Sequence, residues 1–534
     1  MSTTINYNSI DRHNITKLSI FIKQLLDFSD YISIDTEFTG LKLEQPSKAF
    51  QFDLRSWNNR NQDISERYKA LKLLASTHSL VSLGISIFKR KNIDPSTQNN
   101  QNNPSFIANN FNFILFCQNS HLVSPSSIEF LATNGFDFNF QAKNGIRISC
   151  PPKQPSSIDP SNDKDTHAKP FTPKRKLPAS AGSLSNNSNI ELTPDNRIIR
   201  DIVLQCFTCK APIIVHNGLL DLMFLYNSFI AELPDSIDSF VADLADFLGS
   251  PIYDTKYFAE YVYRSDASFL AYLYQSSIRS TKKNKSEGLP FISIDIKDKI
   301  PLENLLSATP ATSIPRSTNS TSTALKIPQK PNNSLPYCSK FASFGYCPTP
   351  NTCKLSHDLD LILDYQESSP EQQKRIRAIT YSKLSQLSAI STTPSNSKAS
   401  QNSPTSPSSQ SYHSAVFDAY MTGYLFLTNL YSKPDLADPL SSHGSRANSS
   451  SSAIHLNSLH STLASNAVPL DPAGVVDTKP AASSDAAETP LNPHKYKNKI
   501  FLIGKNFPLH IEHSNFAKNS AQYVDFKSKR PKFV

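Results

Sequence analysis

The chain has 534 residues, with 54 Lys+Arg against 45 Asp+Glu for a net charge of +9, and only 19% of its residues are charged. Mild basicity suits a nucleic-acid partner, whereas no apolar run approaches the ~20 residues of a membrane span, and the first residues, MSTTINYNSIDRHN, contain no signal-peptide core. The seven cysteines are therefore expected as reduced thiols in an intracellular protein.

In chain order, ITKLSIFIKQLLDF reads as a helix and YISIDTEF as a buried strand, both within 15–45. LVSLGISIF (80–88) and FNFILFC (111–117) read as two more strands, separated by an Asn/Gln-rich insertion at about 91–110. SSIEFLATNGFDFNF (126–140) reads as a short helix and an aromatic turn, and 151–195 as a disordered Pro/Ser/Asn-rich insertion. A helix near 197–209, a strand APIIVHN, a helix GLLDLMFLYNSF, a helix around SFVADLADFL, a strand SPIYDTKYFA and a further helix carry the pattern to about 275. Strands alternating with helices predict an α/β sheet domain over 1–275.

Beyond 275 the expected order is a linker (276–335), a compact Cys/His segment (336–358) and a low-complexity linker (359–410). An isolated apolar helix (411–432), a second low-complexity insertion (433–494), a C-terminal strand segment (495–518) and a basic tail (519–534) complete it. PKRKL (173–177) and KSKRPK (527–532) read equally well as nuclear import signals or as solvated charge. The isolated helix, within SYHSAVFDAYMTGYLFL, lies between segments too polar to bury a core. Loop closure costs only ~0.6 kcal/mol per doubling of loop length, so this helix can belong to the first domain, far away along the chain.

Asp35 and Glu37 stand two residues apart in SIDTEF, which on a strand places both on one face. Like charges on a central strand repel and resist desolvation, and a divalent cation such as Mg²⁺ or Mn²⁺ relieves both penalties; the alternative is a pair of ordinary acids on an exposed edge strand. Asp221, amid leucines in HNGLLDLMFLY, is either a third ligand or a cap. Asp418, in the isolated helix, follows His413 by five residues, so His413 is expected in the turn before the helix and Asp418 within it. Four carboxylates and a histidine suffice for phosphodiester hydrolysis with two metals, the histidine taking the proton of the attacking water. Asp254, in YDTKY, reads as a cap or support and His216 as structural.

YCSKFASFGYCPTPNTCKLSHD contains Cys338-x8-Cys347-x5-Cys353-x3-His357, the donor set of a closed zinc site. With no core of its own and linkers expected on both sides, the segment should fold on the metal. Phe341, Phe344 and Tyr346 are candidates to stack RNA bases, and Lys340 and Lys354 to meet phosphates; protein contact is the other use of such a finger. Cys206 and Cys209 form a lone CxxC and read as packing.

Taken in order, SIDTEFTGL, FLATNGFDFNF, HNGLLDLM, IYDTKY and His413-x4-Asp418 resemble the DEDDh 3′→5′ exoribonucleases, in the branch of the CAF-type and poly(A)-specific ribonucleases. The finger and the tail NKIFLIGKNFPL resemble those of the nuclear CCCH-finger deadenylases of the target-of-early-growth-response type. The resemblance implies an RNase H-like fold. It assigns Asp35, Glu37, Asp221 and Asp418 as ligands of two Mg²⁺ or Mn²⁺, and His413 as general base. The implied partner is the 3′ end of single-stranded RNA, preferably poly(A), with no membrane, and the implied place is the nucleus, in nucleoli or Cajal bodies, acting on small nuclear RNAs. An mRNA deadenylase, a DNA exonuclease with the same acids and a weakly active RNA-binding scaffold are the competing readings.

Overall fold

The structure, a computed structural model, describes residues 5–44, 51–53, 63–91, 103–149, 193–300, 335–350, 352–390, 414–431 and 493–529. His413, the PKRKL cluster and nearly all of the insertions read at 151–195 and 433–494 lie outside them.

Among the described residues, ten strands form one mixed sheet. They are β1 (Asn8–Ile10), β2 (Tyr31–Phe38), β3 (Leu80–Arg90), β4 (Ser105–Cys117), β5 (Ile146–Ile148), β6 (Ile213–Val215), β7 (Ile252–Asp254), β8 (Ser293–Ile296), β9 (Lys499–Ile500) and β10 (Leu509–His510). The order is β1-β4-β3-β2-β6-β7-β9-β10, with β5 and β8 also pairing with the long β4. β3 is antiparallel to both β2 and β4, whereas β6 joins β2 in parallel. The expected α/β sheet is thus present, with β2, the strand of Asp35 and Glu37, at its centre.

Alternation along β2 sorts the two faces. Ile32 and Ile34 enter a core with Ile85 and Ile87 of β3, covered by α1 (Ile15–Asp27), α2 (Ile64–Thr77), α3 (Pro194–Thr208), α4 (Leu219–Leu225) and α5 (Ile237–Phe247). The opposite face is covered by α6 (Leu270–Glu287) and by the far helix, which here is α9 (Ala415–Tyr431). Between them in sequence stand α7 (Leu359–Glu367) and α8 (Pro370–Ile390). α9 is apolar on nearly every side because it is buried on nearly every side. Its Phe426, Leu427 and Leu430 are each 4% exposed or less. Burial of each such side chain contributes about 1.5–3 kcal/mol, which easily exceeds the closure cost of the long connection.

α9 lies close to the sheet because small residues meet there. The hydroxyl of Ser33 donates to the Ala419 carbonyl at 2.6 Å. A Cβ on Gly84 would stand 2.0 Å from the Ala415 oxygen, and one on Gly423 would stand 2.2 Å from the Phe88 ring.

Several expected boundaries change. The helix read to 275 runs to Glu287, and β8 follows it onto β4, so the supposed linker at 276–335 starts with helix and then sheet structure. The last part of the Asn/Gln stretch, from Ser105, is strand, with Phe106, Ala108 and Asn110 buried along β4. The aromatic turn after Pro125–Thr133 is a second helix, Phe138–Asn144, capped by Asp137, which accepts from the Phe140 amide at 2.9 Å. SPIYDTKYFA holds only the three residues of β7 before a helical turn capped by Asp254 begins. The basic tail contains α10 (Ala521–Lys529), whose Tyr523 is buried and whose Lys527 pairs with Asp246 at 2.6 Å.

The largest correction concerns the finger. The stretch after it, read as a linker from 359, forms α7 and α8. Ile362, Leu363 and Tyr365 of α7 share a core with Tyr337 and Ala342 of the finger, Tyr272 and Leu273 of α6, and Leu425 of α9. Arg279 of α6 binds Asp360 at 2.8 Å and Asp364 at 2.6 Å. The short stretch LDLILDYQE is amphipathic and packs on its apolar side. Among the described residues, no helix is long and apolar enough to cross a membrane.

Candidate active site

β6 pairs with β2 only at Ile32 and Ser33. β6 ends at Val215 whereas β2 runs on to Phe38, so the last residues of β2 lie past the carboxyl end of their parallel neighbour, the usual place for ligands in such sheets. Asp35 and Glu37 project there toward α9. Asp35, Glu37 and Asp418 each offer one oxygen, and the three oxygens lie within 4.8 Å of one another. Asp221 comes from the other layer, in the first turn of α4, and is 9% exposed. Its Oδ1 accepts from the Thr36 amide at 3.1 Å and the Thr36 hydroxyl at 2.5 Å. Phe38, two residues further along β2, stacks on Phe224 at 4.2 Å and holds α4 against the strand.

The electrostatics are those of acids crowded together in a poorly solvated place. Burial pushes Asp35 well above the ordinary carboxylate range, and the charges of Asp221, Asp418 and Glu37 add to it. Burial, then Asp221, raises Glu37 to about 8. Asp418 is raised well above its usual value by burial and by the Glu37 and Asp221 charges. Asp221 rises only to about 6: burial raises it, and the Thr36 hydroxyl and amide stabilise its anion in opposition. Among the described residues, no Lys or Arg forms an ion pair with any of the four. Hard oxygen donors with unneutralised, mutually repelling charge fit Mg²⁺ or Mn²⁺.

The structure therefore brings Asp35, Glu37 and Asp418 together and sets Asp221 on the rim of the same group. α9 begins at Ala415, two positions after His413, which itself lies outside the described residues. Ser33 and Thr36, inside SIDTEFTGL, and Gly84 and Gly423 join the site although none of them is read from the sequence as functional. A glycine inside the apolar run LVSLGISIF is a signal of close backbone approach and marks Gly84; Thr36 carries no such signal. Asp254 is the cap expected of it, accepting from the Lys256 amide at 2.9 Å. His216 meets Thr255 Oγ1 through Nδ1 at 2.9 Å, away from the acids' own hydrogen bonds, and burial pushes its pKa well down.

In the finger, Cys338, Cys347, Cys353 and His357 bring their ligand atoms within 4.8 Å of one another. His357 Nε2 is buried without a hydrogen-bond partner, and the imidazole stacks on Phe341 at 4.9 Å. A buried, unpartnered imidazole nitrogen facing three thiols fits a zinc ion. Phe341, expected to be free to stack a base, spends its ring on His357 and on Phe269 at 6.2 Å. Phe344 and Tyr346 are 65% and 61% exposed, and Lys340 and Lys354 are exposed as well. Cys206 is 2% exposed in the core, and the Cys209 thiol donates to its carbonyl at 3.3 Å.

The model of the CAF1 family ribonucleases matches residues 10–426. The chain belongs to the CAF1 ribonuclease family. The matched span of this CAF1-family chain runs from β1 into α9 and so contains all four acids. Among curated proteins, it is 30% identical over 145 residues to "Poly(A)-specific ribonuclease PARN" of Danio rerio, covering 26% of this chain and 20% of that protein. The human protein of the same name is 31% identical over 133 residues, covering 23% of this chain and 18% of that protein. The match thus spans about a fifth of the length of these relatives. Among solved structures, the Mg²⁺- and Mn²⁺-bound form of S. pombe Pop2p is 16% identical, covers 51% of this chain and 82% of that chain, and superposes with a TM-score of 0.32.

Proposed function

We propose that this chain is a metal-dependent 3′→5′ exoribonuclease that removes adenosine-rich tails from RNA. The observation that carries the reading is the meeting of Asp35, Glu37 and Asp418 within 4.8 Å, on elements nearly 400 residues apart in sequence, with Asp221 beside them. In the CAF1 family, such a set is suited to hold two Mg²⁺ or Mn²⁺. When bound, these cations stabilise the attacking and leaving oxygens of an in-line displacement at phosphorus. The protein's own part is to orient them: Thr36 aims Asp221, and Ser33 and Gly84 seat the helix of Asp418. His413, just ahead of α9, is proposed to accept the proton of the attacking water.

The zinc finger, docked on α6, is proposed to offer Phe344 and Tyr346 to unpaired bases upstream of the cleaved end. The preference for adenosine is supported by the names of the relatives matched. A nuclear role on small non-coding RNAs is proposed from the resemblance of the paired finger and tail motifs.

The test is a time course on 5′-labelled single-stranded RNA ending in oligo(A), on RNA of mixed sequence and on DNA, each with and without Mg²⁺. A ladder shortening one nucleotide at a time from the 3′ end, fastest on oligo(A), is expected. Equal rates on DNA would overturn the substrate class, and no Mg²⁺-dependent product would overturn the enzyme.

A further inference from the structure

Asp254 is fully buried, and its carboxylate accepts from four backbone amides on three separate stretches of chain. Oδ1 accepts from Asn217 at 2.8 Å and from Lys256 at 2.9 Å. Oδ2 accepts from Gly218 at 3.4 Å and from Phe501 at 3.0 Å. A helix cap needs only the Lys256 bond. The remaining three have a different geometry.

Asn217 and Gly218 form the turn between β6 and α4. Asn217 is held at φ +59°, in the left-handed region, and Gly218 is so tightly placed that a Cβ would stand 2.5 Å from the Val215 side chain. Asp221 follows three residues later in the first turn of α4. The height and rotation of that helix, and hence the aim of Asp221, are therefore set by a turn whose two amides both end on Asp254. Phe501 approaches from the far side. Its segment joins the sheet through β9 against β7, with the Asn498 amide donating to Ile252 O at 2.7 Å and the Ile252 amide to Asn498 Oδ1 at 3.1 Å.

We infer that Asp254 is a positioning residue for metal binding, which ties the placement of Asp221 to the docking of residues 498–502. The inference rests on the reading of the four acids as a metal site. With the C-terminal segment in place, the carboxylate is saturated and fixed between the two sides. Without it, Oδ2 loses its better bond, and a buried carboxylate that has lost a partner must shift toward another donor or toward water. Either shift moves the Asn217–Gly218 turn.

Asp254→Asn tests this at constant size. An amide can accept at one oxygen only, and its NH₂ would face backbone N–H groups. Mn²⁺ binding is read from the EPR signal of the free ion, beside thermal melts and kcat on oligo(A). The expected result is Mn²⁺ affinity weaker by roughly 10–100-fold, as for other residues that orient metal ligands, with kcat largely restored at saturating Mn²⁺. A lower melting temperature with wild-type Mn²⁺ affinity would leave Asp254 a purely structural residue and overturn the inference.

Should the variant fail to fold, amide exchange on the wild-type chain decides. Addition of Mn²⁺ is expected to slow exchange at Gly218 and at Phe501 together. Slowing at Gly218 with no change at Phe501 would overturn the coupling. Absence of any Mn²⁺ binding by the wild-type chain would instead overturn the metal reading beneath it.

Discussion

Gly84 of β3 lies against the first residue of α9, so that a Cβ would stand 2.0 Å from the carbonyl oxygen of Ala415. Gly84 is also the strand partner of Asp35. One missing side chain thus sets the distance between the strand that carries two acids and the helix that carries a third. Gly84→Ala is expected to lift the start of α9 and separate Asp418 from Asp35. The overpacking should cost about 1–3 kcal/mol of stability. Activity should fall far more, by about 100-fold or greater, since a displacement of an ångström at a catalytic group has that effect. Melting curves beside rates at several Mg²⁺ concentrations check this; a rate loss no larger than the stability loss implies would remove Gly84 from the site.

Metal-free stability should depend on pH through the acids themselves. Glu37 is raised from 4.5 to about 8 and Asp221 from 3.8 to about 6 in the folded chain. Between the unfolded and folded values the folded state holds more protons, so stability falls as pH rises from about 4 toward 8. Glu37→Gln mimics the protonated acid. Without metal it should match the wild type near pH 4 and be more stable by about 1–3 kcal/mol near pH 8, while losing hydrolysis. Millimolar Mg²⁺ should erase the difference by stabilising the wild type. Denaturation in EDTA at the two pH values gives the answer, and equal stabilities at both would mean these acids are well solvated.

His413→Ala should be milder than Asp418→Ala. Loss of a general base typically costs about 10²–10⁴-fold in rate, whereas loss of Asp418 removes one of three converging oxygens. The histidine variant should also lose the limb of the pH–rate profile governed by a group near pH 6–7. A wild-type rate with an unaltered profile would take His413 out of the mechanism.

Flanking linkers would make the finger dispensable for short substrates. Its packing against α6, α7 and Leu425 of α9 argues otherwise. Cys347→Ser, or zinc removal, should lower the melting temperature and slow hydrolysis of even a short oligo(A) by about tenfold, equivalent to ~1.4 kcal/mol of displaced α9. Phe344→Ala and Tyr346→Ala should leave that rate alone and weaken binding of longer RNA by about 1–3 kcal/mol per base unstacked. Rates on short and long substrates, measured side by side, separate the two roles.

The chemistry of this chain is more legible in its sequence than the architecture is. Alternation in SIDTEF is enough to put Asp35 and Glu37 on one face, and spacing alone groups Cys338, Cys347, Cys353 and His357. Metal donors obey strict rules of type and distance, and those rules leave their mark on residue spacing. β8 leaves little mark, because a four-residue edge strand, SIDI, has no period long enough to stand out. α7 is disguised because its three core residues lie among acids, Asp360 and Asp364, that meet Arg279, a partner over 80 residues away. Phe341 misleads because a ring that stacks on a neighbouring histidine and one that stacks on a base look alike in sequence. The tie between Asp254 and Phe501 lies across 247 residues and runs through a backbone amide, which any residue but proline supplies.

The order in which the acids occur has a consequence during synthesis. Asp35, Glu37 and Asp221 leave the ribosome early, but Asp418 comes only after the finger and its helices, and Phe501 later still. A nascent chain can therefore form much of its sheet, with three of the four acids already made, before the fourth exists. With Asp418 placed so far along the chain, the proposed metal site is completed only after the finger and its helices have been made.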